Sequence, residues 1–363
     1  MIRRLVAASF ATVASVVTLR AVARRGGARL LAAPRTMPDE ATLGPALDAL
    51  GGEVVRFRSR DGLRLAARWL PAEPMGPPDA WRPDPHDAIV LLHGWSGSCA
   101  PDIVEYGPFL RQTAGVLGLD FRGHGESDPA PTTFGLREVE DVAGALAWLG
   151  DRGIERVALV GISMGGGTAL AAVAVLGDGS LPSADADPAP AAHVAPPRRP
   201  RIVAVVADSV ATELTISIAS RLRGPRRRFV AGRLLDAAAQ TLGADPRETE
   251  PRRIIGLLEG TPLLLISGEA DTTVPIEDAR RLAAAAPDGT AHWVVPGAEH
   301  SRSHATDPVG YAARVTDHLR AAFAPAAEDA PGWDAPIIDK TGQRSDDSPD
   351  PADIPDPANS VED

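Results

Sequence analysis

Residues 157–165 read V-A-L-V-G-I-S-M-G, and this stretch decides the fold. Its apolar first half is typical of a buried β-strand, and residues 165–170, G-G-G-T-A-L, indicate a helix that begins with small residues. Gly161, Ser163 and Gly165 fit the pattern G-x-S-x-G, in which a serine lies on a sharp turn between a strand and a helix. A side chain at either glycine would collide with the neighbouring strand or helix. The sequence therefore predicts that Ser163 is a nucleophile held on a strained turn.

A serine hydroxyl is a weak nucleophile until a base takes its proton. Two histidines near the C-terminus are candidates for this base, His300 and His304. His300 follows a strand-like segment, residues 292–295, and a loop that begins with a Pro-Gly turn. We therefore favour His300 over His304.

The base needs a carboxylate that fixes its tautomer and stabilises its charged form. Asp271 lies just beyond an apolar strand, residues 263–267, and we predict that it is this acid. Asp208, at the end of the preceding strand, is a weaker candidate. Asp278 lies inside the next predicted helix and is expected to be solvated surface. The candidate nucleophile, acid and base follow one another in the chain in the order Ser163, Asp271, His300.

Acyl transfer also needs N–H donors for the developing oxyanion. His93-Gly94-Trp95 follows the predicted strand of residues 89–92. We expect the backbone N–H groups of Trp95 and Met164 to be the two donors, and Gly94 to allow a close approach of the backbone. Only main-chain atoms are involved, so residue identity constrains this prediction weakly.

Short apolar strands alternate with helical patterns from Val54 onward, which predicts a doubly wound, mostly parallel α/β sheet. Asp61-Gly62 between the first two strands indicates a hairpin. The predicted strands cover residues 54–57, 63–70, 89–92, 116–120, 157–160, 202–207, 263–267 and 292–295, and the predicted helices cover residues 136–149, 165–176, 276–286 and 308–323.

With these motifs assembled, residues 54–323 resemble the α/β-hydrolase superfamily, most closely its serine aminopeptidase-like and monoacylglycerol-lipase-like group. The resemblance rests on residues 93–95, 120–127 (D-F-R-G-H-G-E-S), 161–166, 268–271 and 297–300. It implies the α/β-hydrolase fold, a serine hydrolase activity and a helical cap. It also implies that Arg122 and His124 shape the edge of the sheet and do not belong to the triad.

The predicted organisation has one hydrolase domain, residues 53–323, preceded by a linker at 26–52. Residues 177–201 are rich in Ala, Pro and Asp and predict a disordered insertion, and residues 324–363 predict a disordered acidic tail. Residues 209–260 are expected to form the cap that selects substrates. The six arginines of the cap, between residues 221 and 233, favour a helix with a solvated face over a membrane-binding segment.

The first 25 residues have a basic start and an apolar run at residues 5–19, which resembles a signal peptide or a membrane anchor. We expect membrane association or export, with a soluble amphipathic helix as the competing possibility. The acidic tail carries most of the net charge of −11, so the rest of the chain is nearly neutral and nucleic acid is not an expected partner.

The expected reaction is hydrolysis of a small-molecule carboxylic ester or amide through an acyl-enzyme. Acyl transfer to another acceptor would use the same triad, and a catalytically silent binding protein is a third possibility. No metal site or cofactor is predicted. Cys99 is the single cysteine, so the chain cannot form an intrachain disulfide. We expect Cys99 to be a packing residue.

Overall fold

The computed structural model describes residues 24–32, 36–37, 40–74, 76–77, 81–177 and 199–324. Their centre is a sheet of eight strands in the order β1-β2-β4-β3-β5-β6-β7-β8. The first two strands form an antiparallel hairpin, β2 pairs antiparallel with β4, and all remaining pairs are parallel. The strands are β1 (Glu53–Arg58), β2 (Arg64–Leu70), β3 (Asp87–Leu92), β4 (Gly115–Leu119), β5 (Arg156–Ile162), β6 (Arg201–Asp208), β7 (Leu263–Gly268) and β8 (Ala291–Val295).

The central strands are buried on both faces, which explains their continuous apolar runs. Successive side chains of β3 enter two different hydrophobic clusters, with Val90 on one face and Leu91 on the other. Helices cover both faces, so the doubly wound α/β sheet predicted from the sequence is confirmed.

One face is covered by α4 (Glu138–Gly150), α5 (Met164–Leu176) and α9 (Ile276–Ala284). The other face is covered by α2 (Glu40–Leu50), α3 (Cys99–Leu110) and α11 (Pro308–Phe323). A short helix, α10 (Ser303–Thr306), precedes α11.

The segment predicted to be a cap lies between β6 and β7. It contains α6 (Leu214–Ser220), α7 (Arg227–Leu242) and α8 (Pro251–Ile254), with short 3-10 turns on either side of α8. Ile218 and Leu235 form a small hydrophobic cluster of the cap, and Leu30 packs against that cluster.

Residues 26–52 are not the linker that the sequence predicted. Residues 24–31 are helical (α1) and contribute Leu30 to the cap cluster, while Leu47 of α2 is buried against the sheet. The prediction failed because Pro45 and Gly44 lie inside α2 and the apolar stripe of α1 is very short. Both helices are held by tertiary packing.

Three predicted segments fall largely outside the described residues: 1–23 of the apolar N-terminal segment, 178–198 of the insertion and 325–363 of the acidic tail. Within the described part of the chain, no helix is both long and apolar enough to cross a membrane.

Candidate active site

Ser163 lies between β5 and α5 with backbone angles of φ 53° and ψ −110°, a conformation that costs energy for any residue with a side chain. The two flanking glycines make the turn possible. A Cβ on Gly161 would lie 2.4 Å from the backbone of Gly165, and a Cβ on Gly165 would lie 2.0 Å from the carbonyl oxygen of Leu92. The tight packing of α5 on β3 therefore holds Ser163 at the carboxyl edge of the sheet.

The structure brings Ser163, His300 and Asp271 together in one hydrogen-bonded chain. The Oγ of Ser163 lies 3.0 Å from Nε2 of His300, and Nδ1 of His300 lies 2.7 Å from Oδ2 of Asp271. With the Nδ1 proton donated to the carboxylate, Nε2 is free to accept the proton of the serine hydroxyl. The loops after β5, β7 and β8 position the three residues.

The carboxylate of Asp271 is fixed by its own loop. Its Oδ1 accepts hydrogen bonds from the backbone N–H groups of Thr273 (2.7 Å) and Val274 (2.8 Å), which leaves Oδ2 for His300. The side chain of Asp271 is buried, whereas the ring of His300 is partly exposed. The carboxylate is therefore shielded from water, while the imidazole can reach a ligand.

Asp208, the weaker candidate for the acid, holds the loop that carries His300. Its Oδ1 accepts hydrogen bonds from the hydroxyls of Ser209 and Ser303, both at 2.9 Å, and the Ser209 hydroxyl accepts the N–H of Ser301 at 3.0 Å. Burial raises the pKa of Asp208 to about 6. The position of Asp208 at the end of β6, directly before Ser209, was visible in the sequence, but the approach of Ser303 was not.

His304 and Asp278 are engaged in contacts of their own. Nδ1 of His304 is 3.0 Å from Glu105, and its ring stacks on Phe109. Asp278 is buried, which corrects the expectation that it is solvated surface: its two oxygens accept the N–H and hydroxyl of Thr212 at the start of the cap.

The two predicted oxyanion donors belong to segments that flank Ser163. Met164 is the first residue of α5, and Trp95 lies in the loop after β3. A Cβ placed on Gly94 would lie 3.7 Å from Cβ of Ser163 and 3.5 Å from the Ile162 carbonyl oxygen, which is ordinary contact distance. The loop is therefore next to Ser163, but the backbone approach itself does not require the glycine. A larger side chain there would extend beside Ser163.

Two buried histidines hold the loop that carries Trp95. The resemblance implied a structural role at the edge of the sheet for His124, whereas no such role was expected of His93. The N–H of Phe121 donates to Nε2 of His93 at 3.1 Å, and the N–H of Ser96 donates to Nε2 of His124 at 3.3 Å. Both rings must be neutral to accept these bonds. Burial, together with the neighbouring His124, lowers the pKa of His93 to about 4.

Asp120 ties the same loop to the segment at residues 120–127. Its Oδ1 accepts the N–H of Cys99 at 2.6 Å and its Oδ2 accepts the N–H of Glu126 at 2.9 Å. Arg122 is buried in ion pairs with Asp61 and Asp141. Cys99 itself is buried, and burial raises the pKa of its thiol, so it fits the packing role expected of it.

A cavity of about 240 Å³ opens over Ser163, between the sheet and the cap. Its lining is mainly apolar, and α1 contributes to it along with the cap helices. Among the described residues that line it, none is acidic. The lining residues are Gly26, Arg29, Leu30, Trp95, Phe134, Ser163, Met164, Gly167, Ser209, Val210, Ala211, Leu214, Ser217, Ile218, Arg221, Leu222, Leu234 and Pro251.

Across the described ranges, no group of three or more His, Cys, Asp or Glu side chains is arranged to hold a metal ion.

The sequence model of the alpha/beta hydrolase family matches residues 89–315, which include every residue of the hydrogen-bonded chain described above. The chain belongs to this family. Among sequence relatives, it is 26% identical over 266 residues to the uncharacterized protein YfhR of Escherichia coli O157:H7. The matched region covers 72% of this chain and 78% of YfhR.

Solved structures show the same fold. The Pyrococcus furiosus esterase Pf2001 superposes with a TM-score of 0.56 at 20% sequence identity, covering 81% of this chain and 98% of the esterase chain. Puromycin hydrolase superposes with a TM-score of 0.54 at 19% identity, covering 75% of this chain and 39% of that one. Together with the family match, these likenesses confirm the predicted α/β-hydrolase fold.

Proposed function

We propose that this protein is a serine hydrolase that cleaves carboxylic esters through an acyl-enzyme, with Ser163 as nucleophile, His300 as base and Asp271 as the orienting acid. The observation that carries the proposal is the hydrogen-bonded chain from the Ser163 hydroxyl to the Asp271 carboxylate. The strained backbone of Ser163, in a family of hydrolase-fold proteins, supports it.

In the proposed first step, the Oγ of Ser163 bonds to the carbonyl carbon while its proton passes to Nε2 of His300. The N–H groups of Trp95 and Met164 receive the negative charge that develops on the carbonyl oxygen. Asp271 stabilises the imidazolium that forms. The C–O bond of the ester then breaks, and the leaving alkoxide takes the proton from His300.

Water completes the cycle. His300 removes a proton from a water molecule as the water oxygen attacks the acyl carbon, and the same proton passes to Oγ of Ser163 when the carboxylic acid leaves.

The cavity over Ser163 is smaller than the pockets of roughly 300–1,000 Å³ that bind drug-sized ligands. Its apolar walls and small volume favour short or medium acyl chains. An amide would follow the same steps with an amine as leaving group.

A fluorophosphonate probe, which phosphonylates activated serines, tests the assignment of the nucleophile. We expect labelling of the parent protein, loss of labelling in Ser163→Ala, and retained labelling in Ser220→Ala, a matched change on α6 outside the cavity. Parallel assays use p-nitrophenyl esters of increasing chain length and aminoacyl amides. Labelling of Ser163→Ala at the parental rate would show that another residue is the nucleophile.

Association with a membrane through residues 1–25 stays a prediction of the sequence, because residues 1–23 lie outside the described ranges.

A further inference from the structure

We propose that Arg221, with Arg29 beside the same cavity, selects esters that carry an oxyanion, either a carboxylate or a phosphate, next to the apolar group that fills the cavity. This inference rests on the proposed hydrolase function and adds the class of substrate. Three features carry it: the placement of Arg221, its lack of a carboxylate partner among the described residues, and the charge of the cavity lining.

Arg221 directly follows α6 in the cap and lines the cavity together with Ser163. Its guanidinium carbon lies 5.0 Å from the centre of the Trp95 ring, in the geometry of a cation–π contact. Trp95 is also the residue whose backbone N–H we assign to the oxyanion site. The cation therefore borders the same cavity as Ser163 and the Trp95 ring.

The guanidinium of Arg221 has no carboxylate partner in the part of the chain that the structure describes. Its Nη1 donates a hydrogen bond to the carbonyl oxygen of Ser217 at 2.6 Å. Burial lowers the pKa of the Arg221 guanidinium, and the negative charge of Asp271 offsets part of this effect. The Asp271 carboxylate, however, is hydrogen-bonded to His300 and does not contact Arg221. Most donors of the Arg221 fork are thus available to a ligand.

Two other arginines of the cap have structural roles, because their guanidinium groups form ion pairs. Arg247 forms ion pairs with Asp236 and Asp245, and Arg252 pairs with Glu250. Arg221 differs from them because it borders a mainly apolar cavity instead of a carboxylate.

The cavity as a whole carries positive charge. Arg29 of α1 also lines it, and none of its described lining residues is acidic. Arg29 likewise forms no ion pair with the residues that the structure describes. A guanidinium binds carboxylate and phosphate oxygens through paired N–H donors, whereas a neutral ester offers it no such partner.

Two matched pairs of esters test the proposal with the full-length protein. The first compares the mono-p-nitrophenyl ester of suberic acid with its methyl-capped neutral counterpart. The second compares 1-octanoyl-glycerol-3-phosphate with 1-octanoylglycerol, both below their critical micelle concentrations, by octanoate release. We expect kcat/KM to be about tenfold higher for the anionic member of at least one pair, the effect of one charge-assisted hydrogen bond. The pair that responds identifies carboxylate or phosphate as the preferred group.

Variants assign the preference to its residue. Arg221→Gln should abolish most of the anionic preference, measured as the ratio of kcat/KM between the anionic and the neutral member of a pair. Arg221→Lys should keep an intermediate preference because it retains the charge without the planar fork. Arg223→Gln, two residues further on and outside the cavity lining, is the matched control and should keep the full preference. Added salt should weaken the preference in the parent, since it screens a partly exposed charge.

The outcomes separate this proposal from the proposed function. Equal kcat/KM for both members of both pairs, with the neutral ester still cleaved by Ser163, would overturn the inference and leave the hydrolase function intact. A preference that persists in Arg221→Gln and in the Arg29→Gln/Arg221→Gln double variant would also overturn it. If none of the four esters is cleaved, the proposed hydrolase function fails as well.

Discussion

Gly165→Ala is the substitution for which the structure gives the sharpest expectation. The new Cβ would lie 2.0 Å from the carbonyl oxygen of Leu92 and 2.7 Å from that of His93. The helix or the strand must therefore move by about 1 Å before the first contact reaches 3.0 Å, below which real Cβ contacts essentially do not occur. The obstacle is backbone, so no side-chain rotation can relieve it.

Gly167→Ala is the matched control in the same helix. Its Cβ would meet only Cγ of Pro251 at 3.8 Å, an ordinary contact. Alanine in place of a helical glycine should stabilise the protein by about 1 kcal/mol. For Gly165→Ala the same gain is overwhelmed by overpacking, which costs about 3 kcal/mol or more when backbone must shift.

The rate of ester hydrolysis by Gly165→Ala should fall as well. A shift of this size separates Ser163 from the loop that holds Trp95, and a misplacement of 1 Å can cost about 100-fold in kcat. Denaturant unfolding measures the stability difference between the two variants, and hydrolysis of p-nitrophenyl butyrate measures the rate. Equal stability and equal kcat for Gly165→Ala and Gly167→Ala would refute the close packing of α5 on β3.

Three further expectations concern the base, the oxyanion loop and the N-terminus. His300→Ala should lower kcat for ester hydrolysis by orders of magnitude, and His304→Ala should leave it nearly unchanged. The reverse result would identify His304 as the base. His93 has a pKa of about 4 when folded and about 6.5 when unfolded. Its contribution to stability is therefore present above pH 6.5 and lost as the pH falls toward 4. Relative to His93→Gln, the free energy of unfolding of the parent should fall by up to about 1.4 kcal/mol per pH unit in that window, and parallel pH profiles would contradict the burial of a neutral ring. Removal of residues 1–25 should shift the protein from the membrane to the soluble fraction of the cell, and an unchanged distribution would rule out the predicted anchor.

The strands were predictable because burial on both faces of a parallel sheet leaves a continuous apolar run in the sequence. Each of the eight predicted runs overlaps an observed strand, and the long helix α11 has the predicted bounds. By contrast, α3 was missed. Its sequence, C-A-P-D-I-V-E-Y-G-P-F-L, carries Pro108 and Gly107 in its last turn, and its Ser98 cap makes no side-chain hydrogen bond. Packing of Ile103 and Leu110 against the sheet stabilises a helix that local preference does not favour.

The candidate site also combines features that have a local sequence signal with features that have none. The glycines around Ser163 and the strand ends before Asp271 and His300 leave local signals, so these residues were predictable one by one. The sequence favoured His300 over His304 only through its loop, and the structure adds that the His300 ring lies 3.0 Å from the Ser163 hydroxyl while His304 contacts Glu105. Asp208 was recognised as a strand-end carboxylate with Ser209 next to it, but Ser303 lies 95 residues further along the chain, so the role of Asp208 in holding the His300 loop had no sequence signal.

The sequence by itself determined the sheet, the strained turn at Ser163 and the order of the three residues of the hydrogen-bonded chain, because each depends on local backbone preference or on burial within one segment. Only the tertiary structure decided what surrounds them. Arg221, Arg29 and Trp95 are far apart in the chain and share no local pattern, yet packing of α1 and the cap over the sheet brings them to one cavity. The physical reason is that a cavity and its charge arise from contacts between segments, which no single stretch of sequence encodes.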